Sequence, residues 1–285
     1  MKYIPFLSLF VLLLSCETII TDELSILETP PLLVVEGGVE RYAQDSNVLQ
    51  QVRLTTTTNF LSDEPNPIVS NAQVSIVTDA TQYVLTYLGN GVYGTRDLIP
   101  QIGQLYTLEI IWNDALYTAA DRLNEVPVID RVYTEFEEES LFTDEGYFLK
   151  LDSRDPVGVA NFYHYRVYRN NQFVTVPDPG NSRVLVLSDE FFDGQLRTEV
   201  EPNEEVVFTV GDMAMVDQMG ISENYFDFLF QVYEQTGQGG GSSFAGNPPP
   251  ASIRGNVISR SEGANRALGF FYAADVARAS ILVEE

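Results

Sequence analysis

Tyr83-Val84-Leu85-Thr86-Tyr87-Leu88, Gly89-Asn90-Gly91, Val92-Tyr93-Gly94-Thr95 is the stretch on which the reading of the fold turns. Two runs of β-branched and aromatic residues flank an Asn-Gly pair, which supplies the positive φ angles that a tight hairpin needs. Further on, Tyr106-Thr107-Leu108-Glu109-Ile110-Ile111-Trp112, Asn113-Asp114 and Leu116-Tyr117-Thr118-Ala119-Ala120 repeat the arrangement. On the N-terminal side stand Leu32–Glu36, closed by Gly37-Gly38, then Val52–Thr58 and the alternating Ala72-Gln73-Val74-Ser75-Ile76-Val77. Strands at this spacing, with turn residues between them, predict a small antiparallel sandwich over residues 32–122.

Glu125–Asp130 reads as the passage into a second β-rich unit, residues 126–285. There Phe162–Tyr168 alternates and turns at Asn170-Asn171 into Phe173–Val176. Val184–Leu187, Val206–Val210, Ile253–Ile258 and Gly269–Ala273 are further strand candidates. One helix is predicted, with Ser222 as N-cap, Glu223 in its first turn, and Tyr225, Phe226, Leu229, Val232 and Tyr233 on one face. The fold expected is therefore mostly β: an immunoglobulin-like sandwich, then a second β-rich domain with one short helix. Through the Ala-x-Val, Gly-x-Tyr and Tyr-x-Leu cores of its strands, the first half also resembles the carboxypeptidase-regulatory type of sandwich.

Composition narrows the function classes. At 45% hydrophobic and 20% charged residues, the 285-residue chain is too apolar to be disordered. Its 41 acids against 16 bases give a net charge of -25, which repels phosphate backbones and anionic membrane surfaces, so no nucleic-acid partner is expected. A single Cys rules out an internal disulfide, and a single His rules out most His-based metal sites.

That one Cys ends the leader. Lys2 is a minimal positive region, and the apolar run Ile4–Leu14 is too short to cross a bilayer of roughly 30 Å as a helix. Residues 1–15 thus read as a signal peptide. Leu13-Leu14-Ser15-Cys16 resembles the lipobox of bacterial lipoproteins, in which the thiol takes a diacylglyceryl group and the freed amine is acylated with a chain such as palmitate. Two or three acyl chains hold a protein firmly without help from basic residues, and the acidic tether of residues 16–31 offers none.

Chemistry-bearing candidates each have a plainer explanation. Glu135-Phe136-Glu137-Glu138-Glu139, with Asp144-Glu145, could bind a divalent cation but reads as a solvated, self-repelling linker or edge, since the Asp-x-Asp-x-Asp-Gly spacing of a calcium loop is absent. Asp189-Glu190-Phe191-Phe192-Asp193-Gly194 could offer paired carboxylates for glycoside hydrolysis, but a chain with 41 acids produces such pairs by chance, and Asp193-Gly194 is better explained as a turn. His164, beside Arg166 in an alternating strand, reads as a hydrogen-bonded or solvent-facing residue, because no motif marks a partner for it. Gly237–Ser243 lacks the Gly-Lys-Ser/Thr ending of a phosphate loop and reads, with Pro248-Pro249-Pro250, as a flexible connection. No catalytic residue, metal site or cofactor is assigned. The 15 Tyr and 17 Phe suit either strands or the stacking of a ligand or partner, without marking which rings are exposed.

The order of the pieces carries a resemblance. After the lipobox come Leu33–Gly37, Asn71-Ala72-Gln73-Val74, Gly91-Val92-Tyr93, Tyr106-Thr107-Leu108 and Pro127-Val128-Ile129-Asp130. Asn224-Tyr225-Phe226, Asn247-Pro248, Gly255-Asn256-Val257 and Gly269-Phe270-Phe271 follow. Together they resemble the Bacteroidota lipoproteins known as domain-of-unknown-function 4249 proteins. The resemblance implies a cell-envelope lipoprotein encoded beside TonB-dependent receptors and transfers no catalytic residues. The function expected is a non-enzymatic accessory or ligand-capture subunit, held in the outer membrane through Cys16 and working with a TonB-dependent β-barrel receptor. Its expected place is the cell surface. A surface adhesin or structural envelope protein is the alternative, and a carboxylate-based hydrolase a third.

Overall fold

The computed structural model describes residues 30–59, 64–140, 144–176, 182–236 and 253–285, and is mostly β. Cys16, the leader and the Gly237–Ser243 and Pro248–Pro250 segments lie outside the described residues. Residues 31–285 form one compact unit.

The first strands are β1 (Leu33–Tyr42), β2 (Gln50–Thr56), β3 (Gln73–Val77), β4 (Gln82–Gly89), β5 (Val92–Thr95), β6 (Leu105–Trp112) and β7 (Ala115–Arg122). The β4–β5 and β6–β7 hairpins stand where the Asn-Gly and Asn-Asp pairs predict them. Asn90, Gly91, Asn113 and Asp114 all adopt positive φ, the geometry whose twist matches that of the flanking strands. β4 makes the corner of the sandwich: its first half pairs with β3 and its second with β5, across a register shift between Tyr87 and Gly89. A dry core of Leu33, Val35, Leu54, Ile76, Tyr93, Leu108 and Ile110 fills the interior.

The rest comprises β8 (Arg131–Glu137), β9 (Gly146–Arg154), β10 (Phe162–Arg169), β11 (Gln172–Phe173), helix α1 (Ser182–Leu185), β12 (Val186–Ser188), β13 (Leu196–Val200), β14 (Met213–Ile221), helix α2 (Glu223–Thr236), β15 (Ile258–Ser259) and β16 (Leu268–Leu282). Strand β16 binds the regions together. It pairs antiparallel with β14 and parallel with β1, so one sheet runs β10-β14-β16-β1-β2 across the boundary expected near residues 122–126. A three-stranded sheet, β13-β9-β8, packs over the inner face of β10 and β14 around Leu151, Tyr163, Tyr165, Val167, Val216 and Phe208.

Helix α2 begins as predicted: the Tyr225 amide donates to Ser222 Oγ at 3.2 Å. Its Tyr225 and Leu229 bury against Phe270, Met219 and Val276 on the outer face of β14 and β16. Four strand expectations are corrected. Phe173–Val176 contributes only Phe173, to β11. Val184–Leu187 is divided between α1 and β12, because Val186–Ser188 alone pairs with β10. Val206–Val210 forms no strand, only an isolated bridge from Phe208 to Tyr147. Ile253–Ile258 contributes just Ile258 to a strand.

Candidate functional site

Alternation along β10 sends Tyr163, Tyr165 and Val167 inward and His164, Arg166 and Tyr168 to the outer face. The ladder then does the rest. Arg166 lies opposite Asp217 on β14, and Asp217 opposite Arg278 on β16, so one row across three strands reads Arg-Asp-Arg. The Asp217 side chain is fully buried. Its Oδ1 accepts from Arg278 Nε at 2.6 Å, and its Oδ2 from Arg278 Nη2 at 2.7 Å and Arg166 Nη2 and the Tyr168 hydroxyl at 3.2 Å each.

Arg166 also forks onto Glu40 of β1, Nη1 to Oε1 at 2.8 Å and Nη2 to Oε2 at 3.1 Å. Tyr272 and Tyr42 donate their hydroxyls to the same carboxylate at 2.6 and 2.9 Å. Two carboxylates thus balance two guanidiniums. Burial alone would raise the Glu40 carboxyl, but the Arg166 charge and three sets of hydrogen bonds outweigh it and hold Glu40 below its ordinary range. Burial and the Glu40 charge push the Tyr42 and Tyr272 phenols upward, so they remain neutral donors. All four carboxylate oxygens are bonded. The network orients rings and charges; it holds no idle base.

Above it opens a cleft of about 400 Å³ whose floor is the Gly37-Gly38 backbone and whose walls include Glu36, Glu40, Tyr42, Gln51, Arg53, Arg166, Tyr168 and Tyr272. Gly38 has to be glycine, since a Cβ there would lie 2.0 Å from the Tyr272 carbonyl oxygen. A second cleft of about 860 Å³ adjoins it through Glu40, Tyr42, Leu49 and Gln51, and carries Arg96, Asp275 and Arg278 on its far side.

The other sequence-marked residues fall elsewhere. His164 is buried under α2, with its Nε2 2.9 Å from the Tyr233 hydroxyl and its Nδ1 without a partner. Burial and the neighbouring Arg166 charge push it down to about 3, so at neutral pH it is an uncharged core residue. Glu135 and Glu137 straddle Lys150 at 2.8 and 3.2 Å on the edge strand β8. Asp189 and Asp193 do meet, and Asp155 joins them, one oxygen of each within 4.8 Å of the others. Asp155 accepts from the Tyr163 hydroxyl and, at 2.9 Å, from the Gly194 amide. Asp189 accepts from the Asn161 amide at 2.8 Å and Asp193 from the Gly158 amide at 2.6 Å. These bonds staple the 189–195 loop to the 155–161 loop, and Gly194, at φ 73°, turns it as predicted. Burial pushes the Asp189 carboxyl up.

Sequence reading missed Glu36, Glu40, Arg53, Asp217, Arg278 and the three tyrosines of the cleft. One signal was present: extending the alternation through Gly37-Gly38 puts Glu36, Gly38, Glu40 and Tyr42 on one side of β1.

Fold and site define a mostly-β protein whose largest sheet carries a charge-balanced, tyrosine-walled cleft on its outer face. The chain belongs to the family described as Domain of unknown function (DUF4249), which matches residues 18–280. A comparison with curated proteins gave no match.

Proposed function

We propose that this protein is a lipid-anchored outer-membrane lipoprotein of the cell surface that captures a ligand for a TonB-dependent receptor and performs no chemistry on it. The observation that carries the reading is the cleft over Gly38. Its central charges are already paired, so they can fix a ligand's orientation without exchanging a proton. A hydrolase working in this cleft would need an acid and a base poised near neutral pH, whereas Glu40, the carboxylate at its centre, is held ionised. The lipobox ending in Cys16 supports the anchor. Among the described residues no helix is long and apolar enough to cross a membrane. The receptor partner rests on the family resemblance.

Mass spectrometry of the purified protein is expected to find an acylated Cys16 at the mature N-terminus, and Cys16→Ala to release the protein from membranes. Pull-down of the full chain in gentle detergent is expected to return a β-barrel receptor at near-equal stoichiometry. Recovery of the lipoprotein alone, with a deletion strain that loses attachment but not uptake, would favour an adhesin instead.

A further inference from the structure

We propose that the cleft over Gly38 takes a small zwitterion, a free α-amino acid or dipeptide, with Glu36 receiving the ammonium and Arg53 the carboxylate. This assignment rests on the ligand-capture reading above and names its ligand class.

Two charges in the adjoining clefts are unused. Of the carboxylates lining the two adjoining clefts, Glu40 is bonded to Arg166, Asp275 to Arg41 at 2.6 Å, and Asp45 accepts the Asn47 amide at 2.8 Å. Of the arginines, Arg166 and Arg278 are bonded to carboxylates and Arg96 to the Asn47 carbonyl. Glu36 and Arg53 are left. Both are exposed, and neither side chain has a hydrogen bond or ion pair among the described residues. The β1–β2 register sets them directly opposite each other on the cleft face, yet no ion pair joins them.

Position then limits size. Directly opposed residues of an antiparallel pair have Cβ atoms about 5 Å apart, so the site meets two opposite charges that are close together. An extended peptide separates its termini by roughly 3.3 Å for each added residue, which favours one or two residues over longer chains. Gln51, the partner of Gly38 in the same register, places an amide beside them that can bond a peptide group. Missing side chains at Gly37 and Gly38 leave the floor open, and about 400 Å³ is ample for such a ligand. A neutral oligosaccharide would leave both free charges unmatched. A simple anion would meet Glu36 and a body of net charge -25.

The test is calorimetric titration of the full-length lipoprotein, in a detergent without a sugar headgroup. The probes are L-alanine, L-alanyl-L-alanine, its N-acetyl and C-amide derivatives, and maltotriose. Alanine or the free dipeptide is expected to bind, with acetylation or amidation weakening the dipeptide about tenfold or more, as loss of a charged hydrogen bond does. Glu36→Gln should abolish the penalty of acetylation and Arg53→Gln that of amidation. Because both side chains are exposed, the variants are expected to keep the parent's circular dichroism. Equal binding of free and blocked dipeptides overturns the assignment, as does binding of maltotriose with the free amino acid and dipeptide silent, or no binding by any probe. If a receptor is nevertheless recovered in the pull-down, the envelope role stands and only the ligand class falls.

Discussion

A half-buried arginine and a buried one lie on opposite sides of one sheet, and they are solvated in different ways. Arg166, on the outer face, is held by carboxylates: Glu40 by a two-pronged contact and Asp217 at 3.2 Å. Arg197, reaching into the interior from β13, has no carboxylate in bonding range among the described residues. It donates to the Tyr165 hydroxyl at 2.8 Å and to Gln218 Oε1 at 3.1 Å, and lies over the rings of Tyr163 and Phe192 at 4.3 and 5.0 Å. A guanidinium can thus be buried against formal charge or against oriented dipoles and ring faces. The difference matters when a partner is removed. An ion network fails by leaving another charge stranded, while a dipole cage loses only hydrogen bonds.

The largest effect is therefore expected from Asp217→Ala, which removes the buried carboxylate shared by Arg166 and Arg278, leaving Arg166 with Glu40 alone and the part-exposed Arg278 to solvent. Urea denaturation should register a loss of about 3–5 kcal/mol, and a loss below about 1 kcal/mol would contradict the network's structural role. Next comes acid. The His164 pKa is depressed in the fold, so its contribution is fully present above the unfolded value near 6.5 and is lost as pH falls from there toward about 3. At 1.36 kcal/mol per unit, roughly 3 kcal/mol should disappear between neutrality and about pH 4, and His164→Gln should flatten that limb of the stability profile. Asp121 works in the opposite direction. Burial pushes its carboxyl up to about 6, so its contribution is present at low pH and lost as pH rises through that value, and Asp121→Asn should remove this smaller, reversed slope. The smallest effect is expected from Arg197→Met, which leaves Tyr165 and Gln218 short of donors but strands no charge. A cost of about 1–3 kcal/mol would fit the contrast, and one matching that of Asp217→Ala would erase it.

The two halves of the chain were not equally legible. Asn90-Gly91, Asn113-Asp114 and Asn170-Asn171 announce hairpins because the turn chemistry and both strands lie within a few residues, and all three form with positive φ. Ser222 likewise declares its helix locally. β14 gave no such sign. Met213–Ile221 is buried on both faces beyond its first residue, so it has no alternation, and Asp217-Gln218 interrupts its apolar run for the sake of partners far along the chain. The site was illegible for the same reason. Glu40, Arg166, Asp217 and Arg278 sit on four strands whose order in the sheet owes nothing to their order in sequence; only the β10-β14-β16-β1 pairing sets Arg166, Asp217 and Arg278 in one row and brings Glu40, opposite Ala274, within reach of it.

That pairing has a temporal meaning as well. The parallel seam runs from Val34 against Leu268 to Tyr42 against Val276, joining segments more than two hundred positions apart. Such distant closure is entropically slow. The parallel seam of the largest sheet therefore cannot knit until residues 268–276 have been synthesised and have left the ribosome. The zip closes last, and with it the cleft comes into being.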